Sequence, residues 1–365
     1  MIKEIITEGN FHQFAYRIIR WHFNYLVYGK ASPLACGYYI TSKCNFKCEF
    51  CNIWRIKPGY QVCQEDAMKV IKELGEMGLI YFSFSGGEPL LVPYVFDLLA
   101  YAKKCGILYT HLVSNGYLMD KERAQKLASA KVSEVSFSLD GKEGVHNSVR
   151  GMKDAYKKLL EAIENVKIYS PKTNIVLNTI LFPTHPENAL DAVEIAKQMG
   201  VKIKVQPAND HPSFGIKNIG EKTKRGLYEE EKQKLLQAID YLQTSPQVVN
   251  SKAFLEHYKN FLFQRDKLIF SKKDCIFGYH HIEFFNNSLF PCLEALNWKD
   301  GVDLSNNSLQ EILNSTSYQQ KLQQLKKCPF CQNNFYICYY EPRLNFPIWN
   351  QIYSLLPYRN NLYCL

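Results

Sequence analysis

Cys44, Cys48 and Cys51 fall within eight positions of each other in the stretch TSKCNFKCEFCNIW, residues 41–54. A disulfide would use two of these thiols and leave one over. Zinc would ask for a fourth sulfur or imidazole close by, and the next of each kind, Cys63 and His111, are poorly placed for it. Three thiolates suit a cubane iron–sulfur cluster in which one iron keeps a position for a ligand that is not protein.

A chain of 365 residues, 46% of them hydrophobic, is long enough for about two domains with buried cores. Its formal charge of +9 is spread over 44 basic and 35 acidic residues, the balance of an ordinary solvated surface. No basic stripe interleaved with aromatics stands out, so no nucleic-acid partner is expected. The opening MIKEIITEGN has neither an apolar core nor a small-residue cleavage site, so no signal peptide is expected. Twelve cysteines without an export signal point to a reducing cytoplasm and to metal sites rather than disulfides.

From residue 36 onward, runs rich in Val, Ile, Tyr and Phe alternate with amphipathic stretches. Strands are expected at 36–41, 80–85, 107–113, 132–140, 174–181 and 201–207, with helices near 64–78, 94–105, 120–130, 153–169 and 186–199. Strands separated by helices pair in parallel through right-handed crossovers. Six are too few to close an eight-fold barrel, so the fold class is α/β, a partial (β/α)6 barrel covering 36–207. Chemistry in such a barrel belongs where the strands end. The three cysteines follow the first strand there, SGGEP (85–89) the second, SNG (114–116) the third and DG (140–141) the fourth. Residues 1–35 read as a helical extension, 208–270 as a helical linker, 271–340 as a small Cys-rich domain and 341–365 as an aromatic tail.

CNFKCEFC, with Phe50 before the third cysteine, resembles the C-x3-C-x2-C signature of the radical S-adenosylmethionine (AdoMet) enzymes. SGGEP resembles that family's second-strand motif, and VSFSLDG…HNSVRG (135–151) its branch with extra clusters. The resemblance implies that Cys44, Cys48 and Cys51 hold a [4Fe–4S] cluster whose free iron takes the amino and carboxylate groups of AdoMet. It also implies that an electron donor such as flavodoxin or ferredoxin feeds the cluster. Gly86, Gly87 and Glu88 would face the AdoMet ammonium, since a Gly-Gly pair lets backbone come close to a ligand. Ser138 and Asp140 would reach the ribose or carboxylate, Arg150 would offer its planar fork to the carboxylate, and Gln206 would face the adenine. Asn115 reads equally as a ligand contact or as a turn residue tolerating φ > 0.

Cys275, Cys292, Cys328 and Cys331 resemble the auxiliary-cluster extensions called SPASM and, shortened, twitch, which implies one further [4Fe–4S] cluster. The full SPASM run is not reproduced, because Cys338 follows Cys331 by seven positions and has no partner four beyond. Cys328, Cys331, Cys338 and Cys364 form a rival grouping, and a zinc knuckle a third. The substrate is expected to be a separate organic molecule, a small metabolite, a peptide or a lipid. Nothing resembles a cobalamin domain, so dehydrogenation, epimerisation or bond formation leads over methyl transfer. Residues 11–29 and 346–358 combine aromatics, cations and an apolar face. They either cover the barrel or lie on a membrane surface. Asp210, His211, His280 and His281 are conceivable acid–base groups, none singled out. An electron-transfer protein and a zinc-stabilised binding module are the alternatives, but neither needs SGGEP or a barrel.

Overall fold

A computed structural model describes residues 1–30, 32–208, 227–264, 277–293, 300–305, 307–326, 328 and 335. Cys275, Cys331, Cys338, Cys364, Asp210, His211 and the tail 341–365 lie outside the described residues. Six parallel strands form the frame: β1 (Ala35–Thr41), β2 (Tyr81–Gly86), β3 (Tyr109–Ser114), β4 (Glu134–Ser138), β5 (Asn174–Leu181) and β6 (Lys202–Pro207). The crossovers carry α3 (Gln64–Met77), α4 (Val95–Lys104), α5 (Lys121–Ser129), α6 (Glu143–Arg150), α7 (Ala155–Tyr169) and α8 (Glu187–Gln198). The five longer of these helices and all six strands start and end within a residue or two of the positions the periodicity predicts. The short α6 was not expected.

Period-two alternation divides each strand. Cys36, Tyr38, Phe82, Phe84, Leu112, Val135 and Phe137 pack with the buried stripes of the helices in one apolar core. The other side is polar. His111 takes Tyr81 Oη at 2.5 Å and Ser83 Oγ at 2.9 Å on Nδ1, and Ser136 Oγ at 2.8 Å on Nε2. Glu134 lies 3.3 Å from the same ring and accepts from Tyr109 at 2.7 Å. This network fills the half of the barrel where strands begin and leaves the other end for a site.

The sheet stays open. Its order is β6-β5-β4-β3-β2-β1-β7-β8-β9, so β7 (His281–Phe285) adds to β1 in parallel. The antiparallel β8 (Ser288–Phe290) and β9 (Val302–Asp303) follow. The β7–β8 hairpin turns on Asn286 and Asn287, both left-handed at φ 46° and 58°, as a two-residue turn of that twist demands. Residues 281–303 thus continue the same sheet. At the far edge the loop after α9 (Glu229–Thr244) shields β6: Asn250 Oδ1 accepts from Val205 N at 2.7 Å and Asn250 Nδ2 donates to Val205 O at 3.0 Å. α10 (Lys252–Phe263) follows that loop, and after the hairpin come α12 (Leu309–Asn314) and α13 (Thr316–Lys326), with the single turn α11 (Phe277–His280) ahead of β7.

Two N-terminal helices, α1 (Ile2–Thr7) and α2 (Phe11–Tyr28), close the rim where strands enter. Phe14 and Ile5 pack with Ile80, Leu108 and Tyr109. Arg17 donates to Leu79 O at 2.7 Å and Gly106 O at 3.0 Å, and Trp21 Nε1 to Tyr279 O at 3.0 Å. Every one of these partners lies at or just before the start of β2, β3 or β7. One face of α2 therefore covers the barrel end opposite the cysteines.

Burial pushes the His111 imidazole down to about 4, against an opposing pull from Glu134. Between about pH 4 and the ordinary histidine value near 6.5, the unfolded chain therefore holds a proton there that the folded chain excludes. Stability from this group is present above that window and lost as pH falls through it. His111→Gln should flatten the rise of the urea midpoint between pH 4 and 6.5 relative to wild type; equal slopes would show that His111 does not titrate in that window.

Candidate active site

The loop after β1 carries the three cysteines without helix or ladder to hold it, so contacts from neighbouring turns must do so. The turn after β2 is pressed against its root. A Cβ on Gly86 would stand 2.3 Å from Thr41 O and one on Gly87 2.0 Å from Lys43 O, distances no side chain tolerates. Gly87 N donates to Thr41 O at 2.7 Å and Glu88 N to Lys43 O at 2.8 Å. The close approach these glycines permit is therefore first of all to the chain's own backbone.

Glu88 is fully buried. Its Oε1 accepts from Leu90 N at 3.0 Å and Ser114 Oγ at 2.9 Å, and its Oε2 from Asn115 N at 2.8 Å. Burial raises this carboxyl to about 7, with the three hydrogen bonds pulling the other way. Through these three bonds it binds the β2 turn to the β3 turn. Asn115 passes the link on: its Nδ2 donates to Asn45 Oδ1 at 2.8 Å, inside the cysteine loop, and its Oδ1 accepts from Tyr117 N at 3.0 Å. The left-handed φ of this turn falls on Gly116, at 81°, not on Asn115.

From the other side comes α6. Asp140, just past β4, receives Arg150 Nε at 2.6 Å and Nη2 at 3.1 Å, while Arg150 Nη1 lies 3.8 Å from Cys48 Sγ. The guanidinium also lies 5.1 Å from the Phe50 ring centre. Burial alone would raise the Asp140 carboxyl, but the Arg150 guanidinium outweighs it and holds it below its usual value. Arg150 stays charged although burial opposes it, because Asp140 and then Cys48 favour the cation. Its planar fork, expected to clasp a carboxylate of AdoMet, is closed on Asp140. His146 Nδ1 accepts from Asp140 N at 3.3 Å, and burial keeps the ring neutral.

His146 and Asn45 were missed in the sequence. The i, i+4 spacing of His146 and Arg150, which turns both side chains to one face of a helix, was the available signal for the first. Asn45, between Cys44 and Phe46, gave none. Its Nδ2 is buried with no partner among the described residues, a donor left over beside the cysteines. Ser138 ends β4 half-buried, and Gln206 is exposed near the end of β6, opposite Ile180. His281 pairs in register with Ala35, at the strand-entry end, and His280 stacks edgewise near Trp21; both are remote from the cysteine loop in the barrel.

The donor set fits a cubane cluster. Cys44, Cys48 and Cys51 share one loop, and burial first, with neighbouring negative charge behind it, raises the Cys44 thiol to about 12, a cost that a bound cation would offset. Phe46 N lies 3.4 Å from Cys44 Sγ as a hydrogen-bond donor. Among the described residues no three His, Cys, Asp or Glu side chains close round a single ion. One thiolate per iron, as a cubane needs, spreads its ligands wider than that.

The radical SAM superfamily model matches residues 38–196. A PqqA peptide cyclase of Bradyrhizobium diazoefficiens is 34% identical over 132 residues, which is 35% of this chain and 34% of the relative. An AdoMet-dependent heme synthase of Methanosarcina barkeri is 29% identical over 172 residues, 46% of this chain and 48% of that one. The chain thus spans between a third and a half of the length of these curated relatives. Among solved structures, Streptococcus suis SuiB bound to S-adenosylmethionine superposes with a TM-score of 0.64 at 16% identity, covering 89% of this chain and 77% of that one. The protein anSMEcpe with bound AdoMet gives 0.59 at 19% identity, covering 85% and 90%. These two likenesses are of fold.

Glu88→Gln would put an amide N–H₂ against one of three donors. Leaving a buried donor unpaired costs roughly 1–3 kcal/mol, so the unfolding free energy should fall by that amount, read as a lower urea midpoint at unchanged m-value. A change within experimental error would mean the β2 and β3 turns do not depend on this carboxylate.

Proposed function

We propose, from the match of residues 38–196 to the radical SAM superfamily model, that this protein is an enzyme that takes hydrogen from an unactivated carbon of a separate organic substrate. When bound, a [4Fe–4S] cluster and AdoMet supply the chemistry, reductive cleavage of AdoMet to methionine and a 5′-deoxyadenosyl radical. The observation that carries the reading is the convergence on one loop of the Gly86–Gly87 turn, the Glu88–Asn115–Asn45 chain and Arg150, beside the three thiols.

In this reading Cys44, Cys48 and Cys51 each hold one iron. Arg150, fixed by Asp140, sets a positive charge beside Cys48 and offsets the thiolates. Asn45 Nδ2 offers a hydrogen bond to whatever occupies the space beside Cys44. Ser138 and Gln206, near the ends of β4 and β6, are proposed for AdoMet, and the backbone of Gly86 and Gly87 for its ammonium. The named relatives act on a peptide and in heme synthesis, and we propose a peptide or a small metabolite for this chain as well. An auxiliary [4Fe–4S] cluster on Cys275, Cys292, Cys328 and Cys331, held entirely by protein, would have no iron open to substrate and would serve electron transfer. Supporting this, Leu293, next to Cys292, packs in one apolar cluster with Ile53, Phe285 and Phe290, against which Cys51 also lies.

Anaerobic reconstitution followed by AdoMet and dithionite should yield 5′-deoxyadenosine. Cys48→Ala should abolish it, and undiminished product would overturn the role of the three cysteines. Wild type should hold about eight irons and the Cys328→Ala, Cys331→Ala double variant about four, with AdoMet cleavage kept. Full iron in that variant would remove the auxiliary cluster.

A further inference from the structure

α2 is apolar on two opposite faces. Phe14, Ile18, Trp21 and Tyr25 turn toward the barrel, and Phe14 and Trp21 are buried. On the far side Tyr16, Ile19, Phe23 and Val27, spaced as one helical stripe, are 62%, 63%, 55% and 55% exposed. Of the fourteen large hydrophobic side chains exposed among the described residues, nine lie in the first 28 positions. A helix apolar on both faces needs a second apolar environment, and an isolated soluble surface does not supply one.

The charges around the stripe say what that environment is. From Gly9 to Cys48 there is no Asp or Glu, whereas Lys30 is exposed just after this helix and Arg20 lies over the Tyr16 ring of the stripe; Arg17 is held on Leu79 O and Gly106 O on the barrel side, and His22 is half-buried. Two copies of the chain meeting on this face would bring cations together with no carboxylate from the segment to pair them. Anionic lipid headgroups would pair with them, and tyrosine and phenylalanine are at home at the headgroup level. No helix among the described residues is long and apolar enough to cross a bilayer, so the contact is one of lying on the surface.

We propose that α2 seats the protein on an anionic membrane surface with the cysteine loop turned away from the bilayer. The orientation follows from the fold. Arg17, Arg20 and Trp21 bond to Leu79, Gly106, Met77 and Tyr279, all at or before strand entry, whereas the cysteines follow the strand-exit end. A substrate then reaches the site from the aqueous side, which favours a soluble peptide or metabolite over a lipid drawn from the membrane beneath. Only the assignment of the strand-exit end as the catalytic mouth rests on the proposed function.

The test uses the full chain and vesicles of phosphatidylcholine with or without phosphatidylglycerol. Wild type should co-sediment with the anionic vesicles at least tenfold more strongly than with the neutral ones, and less as salt rises. Ile19→Glu with Phe23→Glu, at exposed positions, should lose that binding at least tenfold while its circular dichroism and thermal midpoint stay unchanged. Hydrogen exchange on vesicles should slow at residues 11–28 and not at 41–54. Slowing at 41–54 would overturn the orientation. A dimer in solution that the double variant separates, with no vesicle binding, would assign the face to a second copy instead, and a monomer with no vesicle binding would leave it without the proposed partner. Cys48→Ala should bind vesicles like wild type, so a failure of the radical chemistry and a failure of the docking surface read out separately.

Discussion

The Glu88 carboxylate is the tie on which the cysteine loop depends. The loop after β1 has no ladder of its own, and three thiols in eight positions repel once they are charged. What fixes their places must come from adjacent strand-end turns. Glu88 accepts three hydrogen bonds away from water and makes the turns after β2 and β3 one unit. Gly86 and Gly87 then let that unit press onto residues 41–43, and Asn115 reaches Asn45. A buried carboxylate left with fewer partners would be costly, so its saturation is what makes the arrangement affordable.

The charge next to the loop is equally specific. Arg150 has two of its N–H groups on Asp140 and another directed at Cys48 Sγ. A lone buried guanidinium would lose its hydration without return. Paired with Asp140, it keeps its charge and can face a thiolate. The Asp140–Arg150 pair thus supplies cationic character at a place where the chain has gathered sulfur. Cluster potentials respond to charge and hydrogen bonds near the sulfurs, so in the proposed function this pair would bias the potential of a cluster held on these cysteines.

Much of the barrel was legible because helix and strand have different periods: the stripe Leu159, Ala162, Ile163 and Val166 is buried on α7 as its spacing implies. The Cys, Gly-Gly-Glu and Asp…Arg segments were legible for a different reason, since each sits where a parallel strand ends. Sequence spacing shows which segment a residue occupies but not which way its hydrogen bonds run. The hydrogen bonds that Glu88 and Arg150 make within the protein are therefore visible only in the structure. The partnership of β7 with β1, 246 positions apart from Ala35 to His281, rests on a pairing no local pattern encodes.

The β7–β8 hairpin also bears on how the two cysteine groups relate. Ile53, two residues past Cys51, packs with Phe285, Phe290 and Leu293, and Tyr60 stacks edgewise on Phe285 with ring centres 4.8 Å apart. Glu283 fixes the other end, accepting from Leu293 N at 2.7 Å. The segment bearing Cys292 is thereby bound to the wall beside the cysteine loop by apolar packing and a buried hydrogen bond, not by a free linker. An electron carrier built on that segment would share a rigid frame with the loop, because the hairpin is a continuation of the barrel's own sheet. Packing in a core at near-crystalline density allows little relative movement, so such a carrier would hold its distance from Cys51 through the catalytic cycle.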